Sequence, residues 1–179
     1  MAELDDRIAD LLSAILEAQR RYTSLAYDDT ECGTLAPPAT EAQIAGLERR
    51  FGRRLPSAYT AFLRQHDGFS GFHADGAILG TADRDAPWVV KRVAQLGRNW
   101  EPVDPNPFET GALPLMIGED IQHFVVIAGD RQTRHGEPAL VEYDQGAEYR
   151  SFDSFVELLE AEREVLEALI DREMRGDTP

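Results

Sequence analysis

The sequence is poor in thiols, in lysine, in positive charge generally and in long apolar runs. A single cysteine, Cys32, excludes an intramolecular disulfide. It lies among turn formers with no motif around it, so it reads as an inert thiol rather than a nucleophile. Lys91 is the one lysine, and every other basic residue is arginine, a skew that fits GC-rich coding and a bacterial source. The 18 Lys plus Arg face 33 Asp plus Glu, a formal net charge of -15. A field of that sign repels phosphate backbones and anionic lipid, so no nucleic acid and no membrane is expected as partner, whereas a basic protein is. No apolar run approaches the ~20 residues of a membrane-spanning helix. The opening MAELDDRIADLL has neither the basic start nor the apolar core of a secretory signal, and with the lone thiol it points to a cytoplasmic location.

Recognisable chemistry is also scarce. There is no P-loop, no G-x-G-x-x-G, no H-E-x-x-H and no cysteine pair. His66, His73, His123 and His135 show no metal-ligand spacing. The expectation is a chain without cofactor, without metal and without a catalytic site.

What the sequence does contain is helix and strand patterning. Leu4, Ile8, Leu11, Leu12, Ile15 and Leu16 recur at helical spacing behind an acidic start, and predict an amphipathic helix from Glu3 to about Leu25. The stretch AYDDTECGTLAPPAT reads as a linker. Thr40 and Gln43 have capping-box spacing before a helix with Ile44, Leu47 and Phe51 on one face and Gly52 as its stop. Leu55-Pro56 opens a further helix with Tyr59, Phe62 and Leu63 buried, closed by Asp67-Gly68. Phe69 to Gly76 reads as loop, residues 77–80 as a short strand, and Trp88 to about Leu96 as a short helix. Strand signals follow at Leu113–Ile117, Phe124–Ala128, Ala139–Tyr143 and Glu148–Arg150, with brief connections that imply antiparallel pairing. A last helix from Phe152 to about Met174, capped by Ser151 or Asp153, is about 33 Å long. That exceeds what the sheet alone can cover, so its second apolar patch is expected to pair with the N-terminal helix.

The fold class is therefore α+β: an antiparallel sheet of about four to six strands with helices packed on one side, plus paired terminal helices. The chain divides into residues 1–39, a helix and linker extension; 40–159, the central α+β domain; and 160–179, a C-terminal helical extension. Residues 1–31 hold 8 acids and 3 bases and residues 142–179 hold 12 acids and 4 bases, so the two helical ends carry most of the excess charge.

The run Leu55-Pro56-x-x-Tyr59-x-x-Phe62-Leu63-x-x-x-Asp67-Gly68, after a helix ending at Gly52, resembles the SUKH superfamily, which includes the fungal cell-wall synthesis regulators. Gly111-Ala112-Leu113-Pro114-Leu115 is similar to that superfamily's approach to a central strand, and Tyr149-Arg150-Ser151-Phe152-Asp153-Ser154-Phe155 to its last strand-to-helix junction. The likeness runs from Thr40 to Leu159. One departure is the turn between the middle strands, where many members carry Gly-Asp or Gly-Gly-Asp and this chain has Gly118-Glu119-Asp120. Leu55, Pro56, Tyr59, Phe62, Leu63, Asp67 and Gly68 speak for fold and not for chemistry.

The resemblance implies a non-catalytic protein-binding domain. Many bacterial members are immunity proteins that neutralise toxins, often nucleases, by stoichiometric occlusion. A regulatory or scaffold domain, self-associating through the terminal helices, and a small-molecule binder on the sheet remain as alternatives. Acids among aromatics suit a protein interface, and Asp75, Asp83, Asp85 and Trp88 are candidate partner contacts on that ground. Glu119 and Asp120 beside His123 join them; as an acid/base pair they would need a convergent site, and a turn with solvated carboxylates is the simpler reading.

Overall fold

The computed structural model describes residues 2–28, 32–73, 76–101, 106–118 and 122–176. In chain order the elements are α1 (Ala2–Tyr27), β1 (Thr34–Leu35), α2 (Glu41–Phe51), α3 (Ser57–Gln65), β2 (Phe69–His73), β3 (Gly76–Ile78), a 3-10 turn (Asp83–Asp85), α4 (Pro87–Trp100), β4 (Leu113–Ile117), β5 (Phe124–Gln132), β6 (Pro138–Asp144), β7 (Ala147–Phe152) and α5 (Phe155–Arg175). The strands form one antiparallel sheet in sequential order, β1 to β7.

Local chemistry explains the helix ends. At Thr40 the hydroxyl accepts the Gln43 N–H, while the Gln43 side chain accepts the Thr40 N–H at 2.8 Å. Both orphan donors are thereby satisfied. Gly52, at φ +78°, ends α2 with its N–H on the Glu48 carbonyl. Pro56 precedes the first turn of α3 rather than forming it. That helix ends at Gln65 with His66 extended, so Asp67-Gly68 lies beyond the helix instead of closing it. Ser154 caps α5, not Ser151 or Asp153; Ser151 is inside β7, paired with Val141.

The sheet has seven strands, more than the four to six expected. The additions are β1 and β2. Ser70-Gly71 breaks the alternation of β2 and hides it from a pattern reading, but its backbone pairs with β1 and β3 through an irregular register.

Helices α1, α2, α3 and α5 cover one face. Ile8, Leu12 and Ile15 of α1, Tyr59, Phe62 and Leu63 of α3, and Phe155, Leu159 and Ile170 of α5 pack with Phe69, Ile78, Leu115, Val125, Ile127 and Leu140 of the sheet. The opposite face is not bare: Val89, Leu96 and Trp100 of α4 pack on Phe124, Val126, Val141 and Tyr143. Successive residues of β5 therefore feed alternate cores, which is why Phe124–Ala128 is apolar throughout.

The terminal helices pair as the sequence implies. Arg7 meets Glu160 and Arg21 meets Met174, the same separation on each helix, so α1 and α5 run parallel. Gln19 of α1 finishes the sheet edge where β1 stops. Its amide donates to Gly71 O at 2.8 Å and Phe72 O at 3.0 Å, and its carbonyl accepts the Gly33 N–H at 2.9 Å. A buried side chain thus stands in for the missing strand.

Candidate functional site

Two buried polar assemblies are built on this frame. The first is a knot between α3 and the segment after β3. The carboxylate of Asp67 accepts the N–H and hydroxyl of Thr81 and the N–H of Ala82. Arg84, 6% exposed, donates to the carbonyls of Gly80, Leu79 and Pro114 and to the Tyr59 hydroxyl. Tyr59 in turn donates to Leu79 O. Burial pushes the Tyr59 phenol above its ordinary value, against the opposing pull of the Arg84 guanidinium. These bonds pin the segment after β3 to α3 and β4.

The second lies on the α5 side of the sheet, in a cleft of about 380 Å³. Glu142 of β6 and Glu162 of α5 are each 5% exposed. His123 Nε2 is 2.7 Å from Glu142 Oε1, and Arg150 of β7 donates to the other oxygen of the same carboxylate. His73 of β2 donates from Nδ1 to Glu162 Oε2 at 2.7 Å. The two imidazoles meet edge to face with centroids 4.9 Å apart. Strand register brings these groups together, since Glu142 pairs with Arg150 and Tyr143 with Phe124, next to His123.

Two buried carboxylates face one guanidinium and two imidazole rings. The Glu162 carboxylate raises the His73 pKa, although burial opposes it. Burial pushes the Glu142 carboxyl up, but hydrogen bonds from His123 and Arg150 outweigh it and hold it below the usual carboxylate range. Among the described residues, no serine, threonine or cysteine lines the cleft around Glu142, whereas the neighbouring depression that Glu162 borders also holds Thr23, Cys32 and Ser70. Among the described residues no group of three His, Cys, Asp or Glu is arranged to hold a metal ion. The arrangement ties α5 to β2 through His73–Glu162, and β6 to β7 and to the residue before β5 through Glu142.

The sequence-derived candidates are dispersed. Asp75, Glu119 and Asp120 lie outside the described residues. Asp83 accepts the Gly80 N–H at 2.7 Å, and Asp85 is exposed and paired with Arg50 at 2.9 Å. Trp88 is 49% exposed on α4, whereas Trp100, Phe69 and Phe72 are core. The sequence reading missed Glu142, Glu162, His73 and Arg84. The visible signal for the first was a lone carboxylate in the apolar strand Ala139–Tyr143. The motif residues Leu55, Pro56, Tyr59, Phe62, Leu63, Asp67 and Gly68 are all buried. No helix is long and apolar enough to cross a membrane among the described residues.

A model of the SMI1 / KNR4 family (SUKH-1) matches residues 38–161. No curated protein matches the chain.

Proposed function

From the premise that the chain belongs to the SMI1 / KNR4 family (SUKH-1), we propose that it is a non-catalytic protein-binding domain that serves in the bacterial cytoplasm as an immunity protein. It neutralises a basic toxin domain, of the nuclease kind, by stoichiometric occlusion. The observation that carries this reading is the acidic face of the terminal helix pair. Glu3, Asp6, Asp10 and Glu17 on α1 and Glu164, Glu167 and Asp171 on α5 are exposed, within a chain of net charge -15. A nuclease site is basic because it holds phosphate, so such a face attracts it over a distance and can reach association rates of about 10⁸ M⁻¹s⁻¹ at low salt.

The test is calorimetric titration against the toxin domain encoded beside this chain's gene. A one-to-one complex with loss of toxin activity is expected. Absence of binding at low salt overturns the reading.

A regulatory or scaffold role through self-association has one specific observation in its favour. Leu25, Tyr27 and Met174 are exposed large apolar side chains at the same end of the α1–α5 pair. Light scattering distinguishes the two: a dimer that persists at low concentration and dissociates on Leu25→Glu supports self-association.

A further inference from the structure

Helix α4 covers only part of its sheet face. Val89, Leu96 and Trp100 seat it over β4 to β6. Towards β2 and β3 the same face stays open, with Ser70 exposed and Ala77 half-buried. Between this floor and the flank of α4 runs a groove of about 460 Å³, walled by Trp88, Lys91, Arg92 and Gln95. A volume of that order suits a ligand-sized group or a few residues of chain.

The wall has a sign opposite to the chain's net charge of -15. Lys91 and Arg92 make no ion pair among the described residues. Among the described residues, Asp85 is paired with Arg50 and Asp83 accepts the Gly80 N–H. Beside these cations stands Trp88, half exposed, where an indole gains by being covered. Small side chains on the floor, Ser70, Gly71 and Ala77, leave room for an incoming backbone.

We propose that this groove docks an acidic segment of a partner protein. Carboxylates of the segment pair with Lys91 and Arg92, and an apolar side chain between them lies on Trp88. The net charge of -15 does not forbid this. Screening acts over about 8 Å at physiological salt, so the cations in the groove outweigh remote acids. The groove lies on the sheet face opposite the α1–α5 pair. It is independent of the toxin reading, and a basic and an acidic partner could be held together.

Trp88 provides the readout, since it is 49% exposed whereas Trp100 is 5% exposed, its indole already buried. The full chain is titrated with the peptide acetyl-Glu-Asp-Phe-Glu-Asp-amide and with its basic counterpart acetyl-Lys-Arg-Phe-Lys-Arg-amide. The acidic peptide is expected to give a saturable blue shift. The double variant Lys91→Glu/Arg92→Glu is expected to weaken it at least tenfold while far-UV circular dichroism and the melting midpoint stay unchanged. Trp88→Ala is expected to abolish the shift and to weaken binding followed by calorimetry. Equal binding of the basic peptide, or undiminished binding of the acidic one to the double variant, overturns the proposal. Displacement of the peptide by an equal concentration of inorganic phosphate or AMP also overturns it, because the groove would then read a small anion and not a segment.

Discussion

Asp67 Oδ2 accepts the Thr81 hydroxyl at 2.7 Å, across the junction between α3 and the segment that follows β3. The same carboxylate takes the N–H groups of Thr81 and Ala82, and the chains approach so closely that a Cβ on Gly80 would lie 2.0 Å from Asp67 O. The terminal Asp-Gly of the sequence motif thus acts as a clamp. It fixes the loop from which Arg84 reaches Tyr59.

Asp67→Ala leaves buried donors without acceptors, a loss of about 3 kcal/mol of folding stability. Asp67→Asn keeps an acceptor and loses about half of that. Urea unfolding monitored by circular dichroism reads both. Equal midpoints for the alanine variant and the parent would remove the clamp from the account.

Gln19 closes the β2 edge from α1, and the Gly33 N–H donates to its side-chain carbonyl. Gln19→Leu strands two carbonyls and one N–H, with an expected cost of about 2 kcal/mol. Gly33→Ala forces a Cβ to 2.6 Å from Ser70 O and 2.4 Å from the Phe69 ring, so it is expected to destabilise by a similar or larger amount. Hydrogen exchange provides the local readout. Protection of Gly71 to His73 falls in both variants, while that of β5 and β6 falls only with global stability.

Much of this architecture was legible in the sequence. The capping box at Thr40, the apolar run of β5 and the stripes of α1 and α5 are local patterns, and local patterns survive folding. The polar centres were not legible because their members are distant in sequence. His73 reaches Glu162 across 89 positions, and Glu142 meets His123 only through the pairing of β5 with β6. The open flank of α4 depends on how far the sheet runs beyond the helix, to β3 and β2, which no periodicity encodes. Trp88 stood out as an aromatic among charges, but its partners Lys91 and Arg92 looked like any solvated helix face.

The His73–Glu162 pair predicts a pH profile. The folded-state pKa of His73 is raised by the Glu162 carboxylate, so between the unfolded value near 6.5 and the folded value the native state binds the extra proton. Its contribution is complete below pH ~6.5 and is lost as pH rises through the folded pKa. Glu142 has the opposite sign: its folded pKa is lowered, so its contribution is present above pH ~4.5 and is lost as pH falls through the folded value. Stability should be greatest on the mildly acidic side of neutrality. Glu162→Gln is expected to flatten the alkaline limb without altering the acid one. Urea midpoints from pH 4 to 9 test this, and an unchanged alkaline limb in that variant would exclude His73 as its source.

Charge reversal on the helix pair tests how a basic partner is recruited. Glu164, Glu167 and Asp171 are exposed along α5, away from the core, so Glu164→Lys/Glu167→Lys should fold normally. Steering acts on encounter, hence the association rate is expected to fall by about tenfold at low salt while dissociation changes little. Adding salt should erase the difference, because the Debye length shrinks from about 30 Å at 0.01 M to about 8 Å at 0.15 M. Stopped-flow mixing with the toxin domain separates the two rates. A variant that dissociates faster but associates at the parental rate would mean that these carboxylates are direct contacts within the complex, and that attraction at a distance comes from another part of the surface.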